Sequence, residues 1–208
     1  MSRKPEPAPS DAALPDAAAR EAFAYAQAPR PVGFPVAFRL KGKALEVERM
    51  GRVDRLPLER VSEVRLSYEA RSLAPGALRT KLRLDDGRTV VFTSISFRSM
   101  FDARRQDAEY GRFLRELLRR IAKAAPQARF AAGRPWPIWA LISVFAVAIV
   151  VALAYFAWQV WLVGETAIAI AAAVIGLVGV WQLEPLVRHN KPRAFAPDDP
   201  PETLAPKG

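Results

Sequence analysis

The chain has no cysteine and a single histidine, His189. Without cysteine there is no disulfide, no thiol nucleophile and no thiolate site for zinc or an iron–sulfur cluster. Ser94, Ser96 and Ser99 have no base near them in sequence, and a serine–histidine pair would need His189 to fold back from beyond the last apolar run. No GxxxxGK[ST] or GxGxxG phosphate loop follows a strand-like segment. The adjacent carboxylates Asp85-Asp86 precede Gly87, and turn chemistry accounts for them. No metal, cofactor or catalytic group is therefore expected, and the chain does not read as an enzyme.

A second absence is local. From Trp136 to Val163, and again from Thr166 to Leu183, there is no Asp, Glu, Lys, Arg or His. Runs of about 18 or more apolar residues signal membrane-spanning helices, because lipid offers the backbone no hydrogen-bond partner. Only Gly164-Glu165 separates the two, so they read as a hairpin, with spans expected at 136–163 and 166–187. The first run, at 28 residues or roughly 42 Å, exceeds a hydrocarbon core of about 30 Å. Its excess is expected at the far end, near Gln159–Val163. Trp136, Trp139, Trp158, Trp161 and Trp181 read as interface anchors. Ala172, Gly176 and Gly179 put small residues on one face of the second helix, for packing against the first or for a homodimer. With no ionisable group in mid-span, an ion relay is not expected.

Charge is what the rest of the chain has in excess. The formal net charge is +10, and from Pro31 to Pro135 there are 23 Lys+Arg against 12 Asp+Glu, 23 − 12 = +11. Such an excess fits an anionic partner, and beside a membrane anchor the headgroup surface is the economical one. Nucleic acid is not expected, since the arginines are spread over strands and helix and no aromatic RNA-reading motif occurs. Arg119, Arg120, Lys123, Arg129 and Arg134 precede the hairpin and Arg188, Lys191 and Arg193 follow it. By the positive-inside rule both termini are cytoplasmic, in a multi-pass protein of the cytoplasmic (inner) membrane.

Periodicity organises the middle. Phe34, Val36, Phe38 and Leu40 alternate as in a half-buried strand, and Lys41-Gly42-Lys43 and Met50-Gly51 are turn signals. Further strands are expected over Ala44–Arg49, Arg52–Leu58 (Pro57 marking an edge), Val61–Tyr68, Leu78–Leu84 and Thr89–Ser96, with Ser72–Gly76 a loop and Asp85-Asp86-Gly87 a hairpin. Tyr110, Phe113, Leu114, Leu117, Leu118 and Ile121 then follow helical spacing, with Asp102 as a candidate N-cap. The fold class is α+β: a small antiparallel β roll or partly open barrel, capped by an amphipathic helix and followed by the hairpin. The expected organisation is a disordered tail over 1–30, the β domain with its closing helix over 31–125, a linker over 126–135, the two spans, and a disordered Pro-rich tail over 188–208.

The passage Leu56-Pro57-Leu58-Glu59-Arg60-Val61-Ser62-Glu63-Val64-Arg65-Leu66 resembles the strand-to-strand passage of bacterial PH-like domains. Leu84-Asp85-Asp86-Gly87, Ile95-Ser96 and the closing helix follow in the same order, so the resemblance covers about Phe34 to Lys123. It implies a partly open barrel used for binding rather than catalysis. The tryptophan usual in the closing helix of eukaryotic PH domains is absent, with Phe113 or Tyr110 as substitutes. Two basic groups are candidates for anionic-lipid contact: Arg39, Lys41 and Lys43 around the first hairpin, and Arg79, Lys81 and Arg83 on one face of a later strand. The expected function is a membrane-anchored, non-catalytic binding module for the anionic leaflet or a protein partner. The alternative is a small accessory subunit of an envelope transport complex that works through its hairpin. Alkaline phosphatase fused after Pro192 is expected to be inactive, and an active fusion would overturn the orientation.

Overall fold

The computed structural model describes residues 23–28, 34–69, 76–97 and 102–207. Four antiparallel strands, β1 (Ala24–Gln27), β2 (Val36–Lys41), β3 (Ala44–Arg49) and β4 (Arg52–Pro57), form a first sheet in sequence order. A one-turn 3-10 helix, Leu58–Arg60, leads to the second sheet. That sheet contains β5 (Val61–Glu69), β6 (Ala77–Leu84) and β7 (Thr89–Thr93), followed later in the chain by β8 (Ile95–Phe97), β9 (Ala103–Arg105) and the helix α1 (Asp107–Ala124). β8 pairs with β9 as a two-stranded ribbon. β10 (Arg129–Ala132) then returns beside β5, in parallel with it. The helices α2 (Trp136–Leu162) and α3 (Thr166–His189) come next, and β11 (Arg193–Ala194) closes the second sheet, whose order is β11-β10-β5-β6-β7.

The alternation seen in sequence decides which faces are buried. On β6, Leu78, Leu82 and Leu84 are buried while Arg79, Lys81 and Arg83 point outward. α1 buries Tyr110, Phe113, Leu114, Leu117, Leu118 and Ile121, the stripe expected from its spacing. In the core, Tyr25 stacks on Phe38 and Phe113 and meets Phe92 and Tyr110 at tilted and edge-on angles. Tyr110 Oη and Thr80 Oγ1 share a buried hydrogen bond of 2.6 Å. Burial pushes both phenols, Tyr25 and Tyr110, well above the usual tyrosine range.

The hairpin turns agree with their residues. Gly42, Met50, Gly51 and Gly87 adopt positive φ, and β4, which carries Pro57, is an edge strand. At the β6–β7 turn, Asp86 accepts from the Arg88 backbone N–H at 2.9 Å and its guanidinium at 2.7 Å, which holds the carboxyl below its usual range. Arg60 clasps Asp85 from the 3-10 turn at 2.9 Å.

Other expectations are corrected. The segment before residue 30 is not wholly a disordered tail, because β1 pairs with β2 and buries Tyr25. Residues 1–22 and 29–33 lie outside the described residues. β1 also bridges the two sheets: the Tyr25 hydroxyl donates to the Thr93 carbonyl, and Gln27 Oε1 accepts from the Thr93 N–H at 2.7 Å. The strand expected over Thr89–Ser96 breaks at Ser94 into β7 and β8. Asp102 is not the N-cap, since Ala103–Arg105 pair with β8 first and the helix starts after Gln106. The 126–135 linker holds a strand, β10.

The C-terminal tail is the largest correction. Leu204 and Ala205 are 1% and 0% exposed and belong to the hydrophobic core. Gly111 on α1 leaves room for this segment, since a side chain there would strike the Pro206 carbonyl. Arg115 donates to the Ala205 carbonyl, and Phe195 packs edge-on against Phe130 at 5.9 Å. Prolines here stiffen an ordered strap rather than mark a mobile end. Leu204→Ala is expected to lower stability by about 2–4 kcal/mol, measured from the denaturant dependence of amide exchange at Leu117 in α1. A loss below about 0.5 kcal/mol would show that the strap is not part of the core.

Candidate functional site

The outward face of β5 and β6 is built by strand pairing. Glu63 lies opposite Arg83, Arg65 opposite Lys81, and Ser67 opposite Arg79. Beside it, β10 is followed by Gly133, whose N–H donates to the Leu66 carbonyl at 2.7 Å. The chain then turns through Arg134 and Pro135 into α2, which has Pro137 in its first turn, where a missing N–H costs nothing. Between the sheet face and this turn lies an open cleft of about 530 Å³, whose far wall is Gly133, Arg134, Pro135 and Ile138.

Five cations and two carboxylates line the cleft, 5 − 2 = +3. Glu63 is taken by Arg65 at 2.5 Å, and Glu69 accepts from Arg79 at 3.4 Å. Among the described residues Lys81, Arg83 and Arg134 have no ion pair, and the Nε of Arg134 is shielded from solvent without a hydrogen-bond partner. Such a concave surface with fixed positive charge attracts anions.

The other basic group is elsewhere. Arg39 belongs to the first sheet and pairs with Glu48 at 3.1 Å, while Lys41 and Lys43 are exposed at the β2–β3 hairpin. The six residues are therefore two separate surfaces, not one. Arg65 and Arg134 belong to the cleft and were not among the sequence candidates. Arg65 faces the same side as Glu63 and Ser67 in the alternation, but Arg134 reaches the cleft only because β10 pairs with β5.

The serines have structural partners. Ser94 Oγ accepts from the Leu78 N–H at 3.1 Å, and Ser96 Oγ accepts from the Ala28 N–H at 3.0 Å. Ser99 lies outside the described residues. His189 is half-buried edge-on against Tyr68, with ring centroids 5.4 Å apart. Among the described residues no group of three or more His, Cys, Asp or Glu could hold a metal ion.

The two helices beside the cleft are long and apolar enough to cross a membrane, with mean hydropathies of 2.7 and 2.0. Gly164, at φ +86°, turns the chain between them. Trp139 Nε1 donates to the Val187 carbonyl at 2.9 Å, and Gly176 faces Leu153. α3 runs on through Pro185 to His189, slightly past the expected 166–187, so its polar last turns lie beside the first turns of α2. Ala172 and Ala169, each 5% exposed, are buried by the helix pairing, whereas Gly179 has open space above it. Trp136, Trp158, Trp161 and Trp181 are exposed, and Trp139 turns inward.

The hairpin is joined to the β domain at both of its ends. It leaves from β10, and on its return Asn190 grips β5: its Oδ1 accepts from the Tyr68 N–H at 3.0 Å and its Nδ2 donates to the Tyr68 carbonyl at 2.8 Å. Asn190 is 1% exposed and acts as one residue of a missing strand. Gly133 is required alongside, because any side chain there would collide with the carbonyls of Asn190 and Lys191. The chain matches no protein-family model, no curated protein and no solved structure.

Asn190→Ala leaves both backbone groups of Tyr68 without a partner, at a cost of about 1–3 kcal/mol. The Tyr68 amide is expected to exchange with deuterium about 10- to 100-fold faster, with Val90 in β7 unaffected. Unchanged exchange at Tyr68 would show that the seam does not hold the strand.

Proposed function

We propose that the chain is an integral protein of the cytoplasmic membrane that presents a PH-like, non-catalytic binding module on a two-helix anchor. The observation that carries this reading is the basic cleft at the foot of the apolar hairpin. Two four- and five-stranded sheets bridged by β1 and covered by α1 fit a partly open barrel of the PH-like kind. Taking the span of α2 from Ser143 to Leu162 gives about 20 residues, ~30 Å at 1.5 Å each. α3 from Thr166 to Leu183 gives about 18 residues, ~27 Å, so both match one hydrocarbon core. Glu184, Arg188 and His189 then lie at headgroup depth together with Trp136–Ile142, and the cleft opens at that level.

The seam through Gly133 and Asn190 supports a module held in one orientation to the membrane rather than tethered by a flexible linker. A rigid mount lets the basic face stay against the leaflet without an ordering cost at each encounter. The anionic leaflet, or a protein partner bound at that surface, is the ligand this arrangement suits. Binding, rather than catalysis, accords with serines engaged by backbone groups and a histidine packed edge-on against Tyr68.

The accessory-subunit reading draws on the exposed apolar faces of the hairpin, such as Leu177 at 72% and Ile170 at 60%. Photo-crosslinking residues introduced singly at Arg55, exposed on the edge strand β4, and at Lys81 and Leu177, in native membranes, separate the two. Adducts from Lys81 or Arg55 are expected for a binding module. Protein adducts obtained only from Leu177 would replace it with the accessory subunit.

A further inference from the structure

The reading of the chain as a membrane protein leaves open what the cleft holds, and on that reading we infer that it is a site for the phosphate-bearing headgroup of an anionic lipid from the same leaflet. The acyl chains of that lipid run up the outer face of α2.

Charge sets the headgroup. With Glu63 and Glu69 engaged by Arg65 and Arg79, the cations left over are Lys81, Arg83 and Arg134. Three unneutralised cations match a headgroup carrying two negative charges, such as a phosphomonoester, better than a zwitterionic one. Guanidinium groups suit phosphate because their planar forks donate two parallel hydrogen bonds. Arg134 Nε, shielded and unpartnered, is a donor that an entering phosphate oxygen would satisfy. α2 starts at the rim, so the positive end of its dipole adds to the same field. At about 530 Å³ the cleft is in the size range of small-ligand sites.

The apolar part distinguishes a lipid from a soluble phosphate ester. Ile138 forms part of the cleft wall, and Leu141 and Phe145 continue upward from it at i+3 and i+7, on one face of α2. They are 46%, 70% and 67% exposed. A basic socket that opens directly onto an apolar helical face complements a molecule with a phosphate at one end and hydrocarbon at the other. A soluble phosphate ester would engage the cations and leave that face unused.

The test uses the full chain in nanodiscs of equal parts phosphatidylcholine and phosphatidic acid, with native mass spectrometry counting the lipids kept after release into detergent. The expected result is at least tenfold preferential retention of phosphatidic acid. Lys81→Glu with Arg83→Glu should lose that preference, and the milder Lys81→Gln with Arg83→Gln should weaken it in the same direction. Lys41→Glu with Lys43→Glu, on the other sheet, should retain it. Both cleft residues are exposed on the outer sheet face, and amide exchange of Leu82 checks that each variant is folded. Preference unchanged in the cleft variants would overturn the site while leaving the membrane reading standing. Equal competition by inorganic phosphate or glycerol phosphate would assign the cleft to a soluble ligand and overturn the lipid. Release of the wild-type chain from membranes by alkaline carbonate would instead bring down the reading on which the site rests.

Discussion

Strand β5 is the member on which the rest of the molecule depends. Val64 and Leu66 are completely buried on its inner face, and Glu63, Arg65 and Ser67 are on its outer face. β6 pairs along one edge, while β10 and the amide of Asn190 occupy the other. Because β10 runs parallel to β5, the chain must cross over between them, and α1 lies within that crossover. The helix that covers the core and the strand that launches the hairpin are therefore consequences of one pairing. The return of the chain at Asn190 meets the same strand edge, which is why the two ends of the hairpin are held together by the β domain itself.

That arrangement explains the division of labour between the two faces of the second sheet. Inward, aromatic and aliphatic side chains close around Tyr110, whose buried hydroxyl is satisfied by Thr80. Outward, arginines and lysines alternate with them and are screened only in part by Glu63 and Glu69. The apolar face stabilises the domain by leaving water. The basic face costs little because it stays at the surface, and its excess charge becomes useful where Gly133–Ile138 turn an open sheet into a cleft. The strap from Asn190 to Pro206 completes the enclosure on the opposite side, with Leu204 in the core and Pro206 seated where α1 leaves room at Gly111.

Much of this was legible from residue patterns. The two apolar runs, the alternation on β6, the i, i+3, i+4 stripe on α1 and the glycine turns at Gly42, Gly51 and Gly87 are local signals, and local geometry honours them. The misses share one cause. β1, β10 and the strap are short, alanine- or proline-rich segments with weak periodicity, and each is ordered by a partner distant in sequence: Tyr25 by Thr93, Phe130 by Phe195, Leu204 by the α1 surface. Arg134 was invisible as a site residue for the same reason, whereas the two basic groups read from sequence do stand on different sheets.

By itself, then, the sequence determined the long helices and the strands β2 to β7, which faces are apolar, and that two helices are suited to hydrocarbon, because these follow from side-chain period and composition. Tertiary structure alone decided the parallel docking of β10, the grip of Asn190 on Tyr68, the ordering of the C-terminal strap and the joining of Arg79, Lys81 and Arg83 to Arg134 in one cleft. Those depend on backbone groups finding partners across more than 60 residues of chain, as Tyr68 and Asn190 do at a separation of 122, and no local pattern encodes such a meeting.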